Sequence, residues 1–410
     1  MTATLLFLAA GYAWSRRLAP DADWPLTLAF SLLLGCSVTA TALLLLDLSR
    51  VPWSAPALLA TTVILALPPI RKISSPRASS FIVHLSSFPN LVTAVLVALA
   101  ATRPEDWNPA SFAIGRRDFF FIWGYKAHLF FSEQGIPWRF LAALPNDFSH
   151  PDYPLLVPLL YDVQAVLSGN WQPQAFTLIH AALGAALLVI VHHALRDEFD
   201  PAIASLGTLA LAGCALVPWP GFADGPLVAF ACGAALLLRA NKHVAVAGVL
   251  LALAAMTKNE GLVFAVVILA VSRMRASAWR APALVTAVWL AARAALGLHT
   301  DLFAPGIFAR IAHNVPQLPH AFANVPAFQP LAWIGALVAI LLAPAENVRR
   351  ERFLLTVVAL QLAFYLAAYA VTPLDVAGHV NGSWPRITAH VTMLLAFAGM
   401  TSIGERFRRT

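Results

Sequence analysis

A few short polar stretches interrupt an otherwise apolar sequence, and each carries side chains able to move a proton or hold an anion. The first is RRDFFFIWGYKAHLFF, with Asp118 and, further on, Lys126. A carboxylate set among aromatic rings near a bilayer surface can have a raised pKa and take the proton of a hydroxyl. The same aspartate, standing before three phenylalanines, also suits a helix N-cap paired with Arg116 or Arg117. The second is His150-Pro151-Asp152-Tyr153-Pro154, where the prolines stiffen the turn that carries the histidine and carboxylate. Asp152 fits a catalytic or binding role there, and it fits helix capping equally.

Three more follow. Asp224 in PWPGFADGPL fits a site residue or an ordinary Asp-Gly turn. Thr257-Lys258-Asn259-Glu260-Gly261 separates two apolar runs with hardly any loop; its ammonium suits a lipid phosphate, while a Lys258–Glu260 pair would suit a tight turn. HVNGSWPRITAH offers His379, Ser383, Arg386 and His390. The guanidinium fork of Arg386 matches a pair of phosphate oxygens, or else snorkels to lipid. HExxH, paired CxxC, Walker-type glycine loops and GxSxG are all missing, which removes support for metalloprotease, ATPase and serine-hydrolase chemistry. Cys36, Cys214 and Cys232 each lie in an apolar run and read as small core residues.

The elements that must position these groups are membrane helices. Of the 410 residues 60% are hydrophobic and 11% charged, far from the roughly 25% charged of an average soluble domain. Only helices satisfy their own backbone inside lipid without closing into a barrel, so the expected fold is all-α and polytopic. Candidate spans fall near 1–15, 25–46, 55–70, 89–102, 173–195, 201–217, 226–239, 243–257, 261–272, 280–297, 328–343, 353–371 and 387–403, about thirteen in all. The first run lacks a positive leader region and is followed by Arg16 and Arg17, so it reads as a reverse-oriented span and not as a signal peptide.

The net charge of +7 does not point to nucleic acid, because the basic residues sit in clusters between apolar runs. With the amino terminus outside, the clusters at Arg16–Arg17, Arg71–Lys72, Arg239–Lys242, Arg273–Arg275, Arg349–Arg352 and Arg406–Arg409 all become cytoplasmic. That parity holds if 154–168, apolar but interrupted by Pro154, Pro158, Asp162 and Gln164, lies at the interface and does not cross. Two outer loops then stand out, 103–172 and 298–327, the first rich in aromatic residues that suggest short helices resting on the outer leaflet. All the polar stretches above fall on that outer side.

In their order and shared side these motifs resemble the GT-C superfamily of membrane glycosyltransferases, the class of the protein O-mannosyltransferases and the lipid A aminoarabinose transferase. The resemblance covers about residues 89 to 403. It rests on Asp118 in the first long outer loop, His150 to Pro154 at the start of an interfacial helix, Asp224 at a later outer turn, Lys258 with Glu260, and Arg386 late in the chain. It implies a GT-C-like core at 89–403, preceded by a three-span extension at 1–88 and followed by a cytoplasmic tail at 404–410.

It further implies transfer of a sugar from a polyprenyl-phosphate donor to a glycan, lipid or protein acceptor, with inversion and without nucleotide sugar or cofactor. The setting would be the outer face of the plasma (inner) membrane, towards the periplasm or exterior. Asp118 would be the base, with His150 and Asp152 assisting; Lys126, Asp224, Lys258, Glu260, Ser383 and Arg386 would hold substrate. The lone Asp118, with no acidic neighbour, gives no reason to expect a metal. The alternative reading is a transporter or flippase, which would place its ionisable residues near the bilayer midplane.

Overall fold

The computed structural model describes residues 2–67, 118–217, 221–272, 276–298, 305–323 and 325–404. Among them the chain is helical throughout, with no strand. The longer helices are α1 (Thr2–Leu18), α2 (Trp24–Leu48), α3 (Ala55–Ala66), α4 (Gly124–Glu133), α5 (Leu156–Ser168), α6 (Thr177–Arg196), α7 (Pro201–Ala215) and α8 (Asp224–Arg239). They continue as α9 (Val244–Ala255), α10 (Asn259–Ser272), α11 (Ala276–Leu296), α12 (Ile307–Asn314), α13 (Pro330–Leu342), α14 (Arg352–Val371) and α15 (Val376–Ile403).

Four described helical stretches are long and apolar enough to cross a membrane: Trp24–Leu48, Pro173–Arg196, Arg352–Val371 and Val376–Ile403. Most of the other expected spans correspond to shorter apolar helices, such as the 12-residue α9 and the 13-residue α13. The expected span at 89–102, the Arg71–Lys72 and Arg406–Arg409 clusters and part of each outer loop lie outside the described residues. Helix α13 turns Leu331, Leu341 and Leu342 outward, each about four-fifths exposed, and α11 does the same with Leu284 and Val288. Apolar faces of that kind give the fold membrane-protein character, since lipid tails are the solvent that tolerates them.

Local sequence sets the helix ends. Asp23 accepts the Leu26 amide at 3.1 Å and opens α2, with Pro25 in its first turn. Asp200 does the same for α7, and Asp375 for α15 by accepting the Gly378 amide at 2.7 Å. Small residues let helices meet closely: a Cβ on Gly11 of α1 would lie 1.9 Å from the Ser31 carbonyl oxygen of α2.

Helix α8 runs through the centre, packed on α6, α9 and α15, and nearly every residue from Asp224 to Leu238 is buried. Its far end is pinned by Arg239, which pairs with Glu351 and, at 3.1 Å, with Glu198. Its near end is Asp224. At 1.5 Å per residue these two ends lie about 24 Å apart.

One expectation is corrected here. The helix at 154–168 does not rest on a surface: α5 is buried from Leu156 to Val166, enclosed by α1, α2, α3 and α4. The amide side chain of Gln164, read as an interfacial group, accepts the Ala3 backbone N–H at 3.1 Å at the start of α1.

Candidate functional site

Three helix ends and one helix interior bring Asp118, Asp224, Lys258, Glu260 and Arg386 together. Asp224 is the first residue of α8, and Lys258 sits in the three-residue link between α9 and α10. The Lys258 ammonium lies 3.0 Å from Asp224 Oδ1 and 3.2 Å from Glu260 Oε1. Arg386 and His390 are one turn apart on α15, so both project toward the same neighbour. His390 Nε2 is 2.8 Å from Asp224 Oδ1, and Arg386 Nη1 is 4.0 Å from Asp224 Oδ2.

Asp118 closes the ring. It opens a π-helical turn, Phe119–Trp123, that runs directly into α4. Its side chain makes no capping hydrogen bond; it accepts from Arg386 Nη1 at 2.5 Å. The capping alternative for this residue is therefore displaced by an ion pair. Phe222 lies under the Arg386 guanidinium, 4.7 Å from ring centroid to Cζ, which adds a cation–π contact.

Hydrogen-bond geometry places a proton on Nε2 of His390. The Tyr365 hydroxyl sits 2.6 Å from Nδ1, and the Asp224 carboxylate faces Nε2. A carboxylate only accepts, so Nε2 carries a proton, and in the neutral ring Nδ1 accepts the tyrosine O–H. Three carboxylates, Asp118, Asp224 and Glu260, then face two cations, Lys258 and Arg386. With His390 neutral, the cluster holds one negative charge in excess. Two of its atoms are buried with no hydrogen-bond partner, Arg386 Nε and Glu260 Oε2.

A second cluster adjoins the first through consecutive residues, Lys258 belonging to one and Asn259 to the other. Asn259 donates to Asp152 Oδ2 at 2.7 Å, and Arg293 at the end of α11 lies 3.8 Å from the same oxygen. Burial raises the Asp152 carboxyl above its usual range, against the stabilising hydrogen bond from Asn259 and the charges of His150 and Arg293. Asp152 does not cap α5, whose first residue is Leu156 and which has no side-chain cap.

His150 takes a left-handed backbone, φ +49°, and its ring stacks on Tyr153 with centroids 4.9 Å apart. Tyr153 stacks in turn on Trp123 at 5.5 Å. Lys126 lies beneath, fully buried, its ammonium 5.6 and 5.9 Å from the Trp123 and Tyr153 centroids and donating to the His150 carbonyl at 2.6 Å. Burial pushes this ammonium down to about 7, with the Asp152 charge opposing the shift.

Of the residues expected at the site, Asp118, Asp224, Lys258, Glu260 and Arg386 converge. His150 and Asp152 belong to the adjoining cluster, and Lys126 is bound within the ring stack, where a substrate would have to displace a backbone carbonyl to reach it. Ser383 is not among those that converge: its hydroxyl donates to the His379 carbonyl at 2.6 Å and pairs with the Tyr369 hydroxyl at 2.8 Å, between α14 and α15. Asn259, Arg293, Tyr153 and Tyr365 were not singled out from sequence. Arg293 carried a signal, being a basic residue outside the clusters expected to be cytoplasmic. No protein-family model, curated protein or solved structure matches this chain.

Proposed function

We propose that the protein is a membrane glycosyltransferase that moves a sugar from a polyprenyl-phosphate donor to an acceptor hydroxyl on the non-cytoplasmic side, with inversion. The observation that carries this reading is the Arg386 guanidinium held between the carboxylates of Asp118 and Asp224. Such a group joins a candidate base to a candidate phosphate holder in one contact. The GT-C-like order of motifs and the membrane-protein character of the fold support it, and the more detailed topology, about thirteen spans with the site on the outer face of a plasma membrane, belongs to the same proposal.

The charges suggest how the step would run. With one negative charge in excess, the cluster repels a phosphate until a carboxylate gives way. Of the two carboxylates on Arg386, Asp118 is the one free to do so, being 29% exposed where Asp224 is 2% exposed. A donor phosphate would replace Asp118 on Arg386, and the released carboxylate would accept the acceptor's proton. The acceptor oxygen then bonds to the anomeric carbon as the bond from that carbon to the phosphate oxygen breaks. Arg386 and Lys258 hold the departing phosphate, a stabilisation that grows as charge develops. Asp224 and His390 keep both cations in place.

The test is transfer from polyprenyl-phosphate sugars in liposomes by Asp118→Asn and Arg386→Ala protein. Both variants should lose most activity, and unaltered transfer by either removes its role.

One observation favours a transporter or flippase instead. Helices α8, α9 and α10 have 16, 12 and 14 residues. At 1.5 Å per residue the longest is about 24 Å, short of a hydrocarbon layer of about 30 Å, and all three have an end at the charged cluster. Movement of an intact lipid-linked substrate across the bilayer, with no glycoside formed, would favour that class.

A further inference from the structure

Among the described residues, Tyr153 is the one tyrosine of the two clusters whose hydroxyl enters no hydrogen bond. Its ring is fixed on both faces, by Trp123 at 5.5 Å and a 21° tilt and by His150 at 4.9 Å and 17°. Neither face is open to a sugar. What remains is the edge that carries the oxygen.

Contacts on either side tie the turn that carries Tyr153 to the cluster around Arg386. Asp152, the preceding residue, is tied to Asn259 and thus to the Lys258 link, while Trp123 ends the π-helical turn that Asp118 opens. The phenol is raised well above its usual range by burial, then by the charges of Glu260, Asp152 and Asp118, with the Arg386 charge opposing. It therefore stays a neutral O–H donor. In the same cluster Arg386 Nε is buried and has no acceptor.

We propose that Tyr153 O–H and Arg386 Nε–H are paired donors to one phosphate group of the substrate, so that Tyr153 belongs to the phosphate-binding set. This rests on the reading of the site as one for a polyprenyl-phosphate donor. It explains the construction around the ring. A phenol that must meet an anion cannot swing, and Lys126, bonded to the His150 carbonyl, locks the turn from which it projects. Adding a neutral donor also brings hydrogen bonds to the phosphate without a further buried charge to desolvate.

The experiment measures binding of undecaprenyl phosphate to the detergent-solubilised full chain, with undecaprenol, inorganic phosphate and phosphatidylglycerol as parallel probes. Wild type should prefer undecaprenyl phosphate to undecaprenol, and Tyr153→Phe, which keeps the ring stack, should weaken that preference roughly tenfold, the scale of one hydrogen bond to a charged group. Arg386→Ala should weaken it at least as much. Should Tyr153→Phe lower thermal stability, Trp123→Phe serves as the packing control, since it loosens the stack and leaves the hydroxyl.

Tyr153→Phe binding like wild type while Arg386→Ala fails overturns the role of Tyr153 and leaves the glycosyltransferase reading standing. So does Trp123→Phe weakening the preference as much as Tyr153→Phe. Wild type that does not distinguish undecaprenyl phosphate from undecaprenol removes both. Tight binding of inorganic phosphate or phosphatidylglycerol alone, with loss in Tyr153→Phe, keeps the phosphate contact and overturns the polyprenyl source.

Discussion

Arg386 and Asp118 lie 268 residues apart in sequence and 2.5 Å apart in space, and this contact ties the start of the π-helical turn before α4 to the middle of α15. Both side chains are largely shielded from solvent, so the pair is screened less than a surface ion pair would be. The two residues should not behave independently. In a double-mutant cycle with Asp118→Asn and Arg386→Gln, thermal or denaturant unfolding in detergent should give a coupling of about 1 kcal/mol, the scale for contacting charged groups. Strict additivity would mean that the contact contributes nothing to the fold.

The Asp224–Lys258 pair should cost more to break. Both side chains are almost wholly buried, and removing one leaves the other charged without its main partner. Asp224→Asn should destabilise the protein by about 3 kcal/mol, the lower end for a broken buried pair. Asp224→Asn combined with Lys258→Met removes both charges and should be more stable than Asp224→Asn alone. A double variant that is weaker than either single one would show that some other partner, such as Glu260, sets the energetics.

Much of the site was legible because charge is rare in this chain. Asp118, Asp224, Lys258, Glu260 and Arg386 stand out against apolar sequence, and the positions of the basic clusters made a shared side the expectation. Which of them touch was not legible, since periodicity says nothing about contacts between residues such as Asp152 and Asn259, 107 positions apart. The helix at 154–168 shows the same limit. Its prolines, Asp162 and Gln164 read as interfacial polarity, yet α1, α2, α3 and α4 enclose it, and the start of α1 supplies Gln164 with its partner. Ser383 looked available because sequence cannot show that Tyr369, one helix away, already holds it.

Lys126 gives a pH signature with a definite sign. Its folded pKa of about 7 lies below the ordinary lysine value near 10.4, so between those limits the unfolded chain binds a proton that the folded chain does not. Stability must rise with pH across that window. Below about pH 7 both states are protonated and the buried ammonium is simply a cost. The midpoint of thermal unfolding in detergent should therefore climb from pH 7 toward pH 10, as far as this residue is concerned, and Lys126→Met should flatten the climb. An unchanged slope in Lys126→Met would show that Lys126 is not the titrating group.

Gly261 offers a test of how tightly the Lys258 link is held. The link between α9 and α10 is so short that α10 leaves hard against the end of α9: a Cβ on Gly261 would stand 2.0 Å from the Ala254 carbonyl oxygen. That neighbour is backbone and cannot rotate away. Gly261→Ala must then push α10 off α9, with a cost of about 1–3 kcal/mol for overpacking, and the displacement falls on the turn carrying Lys258, Asn259 and Glu260. Because Lys258 serves one cluster and Asn259 the other, the same substitution should loosen both. The expected result is a lowered unfolding midpoint together with weakened binding of undecaprenyl phosphate, more than Gly399→Ala causes. The comparison is apt because a Cβ at Gly399 also meets backbone, 2.7 Å from Ala336 Cα, where α15 packs on α13. If Gly399→Ala impairs binding as much as Gly261→Ala at equal loss of stability, the link has no special part in setting the site.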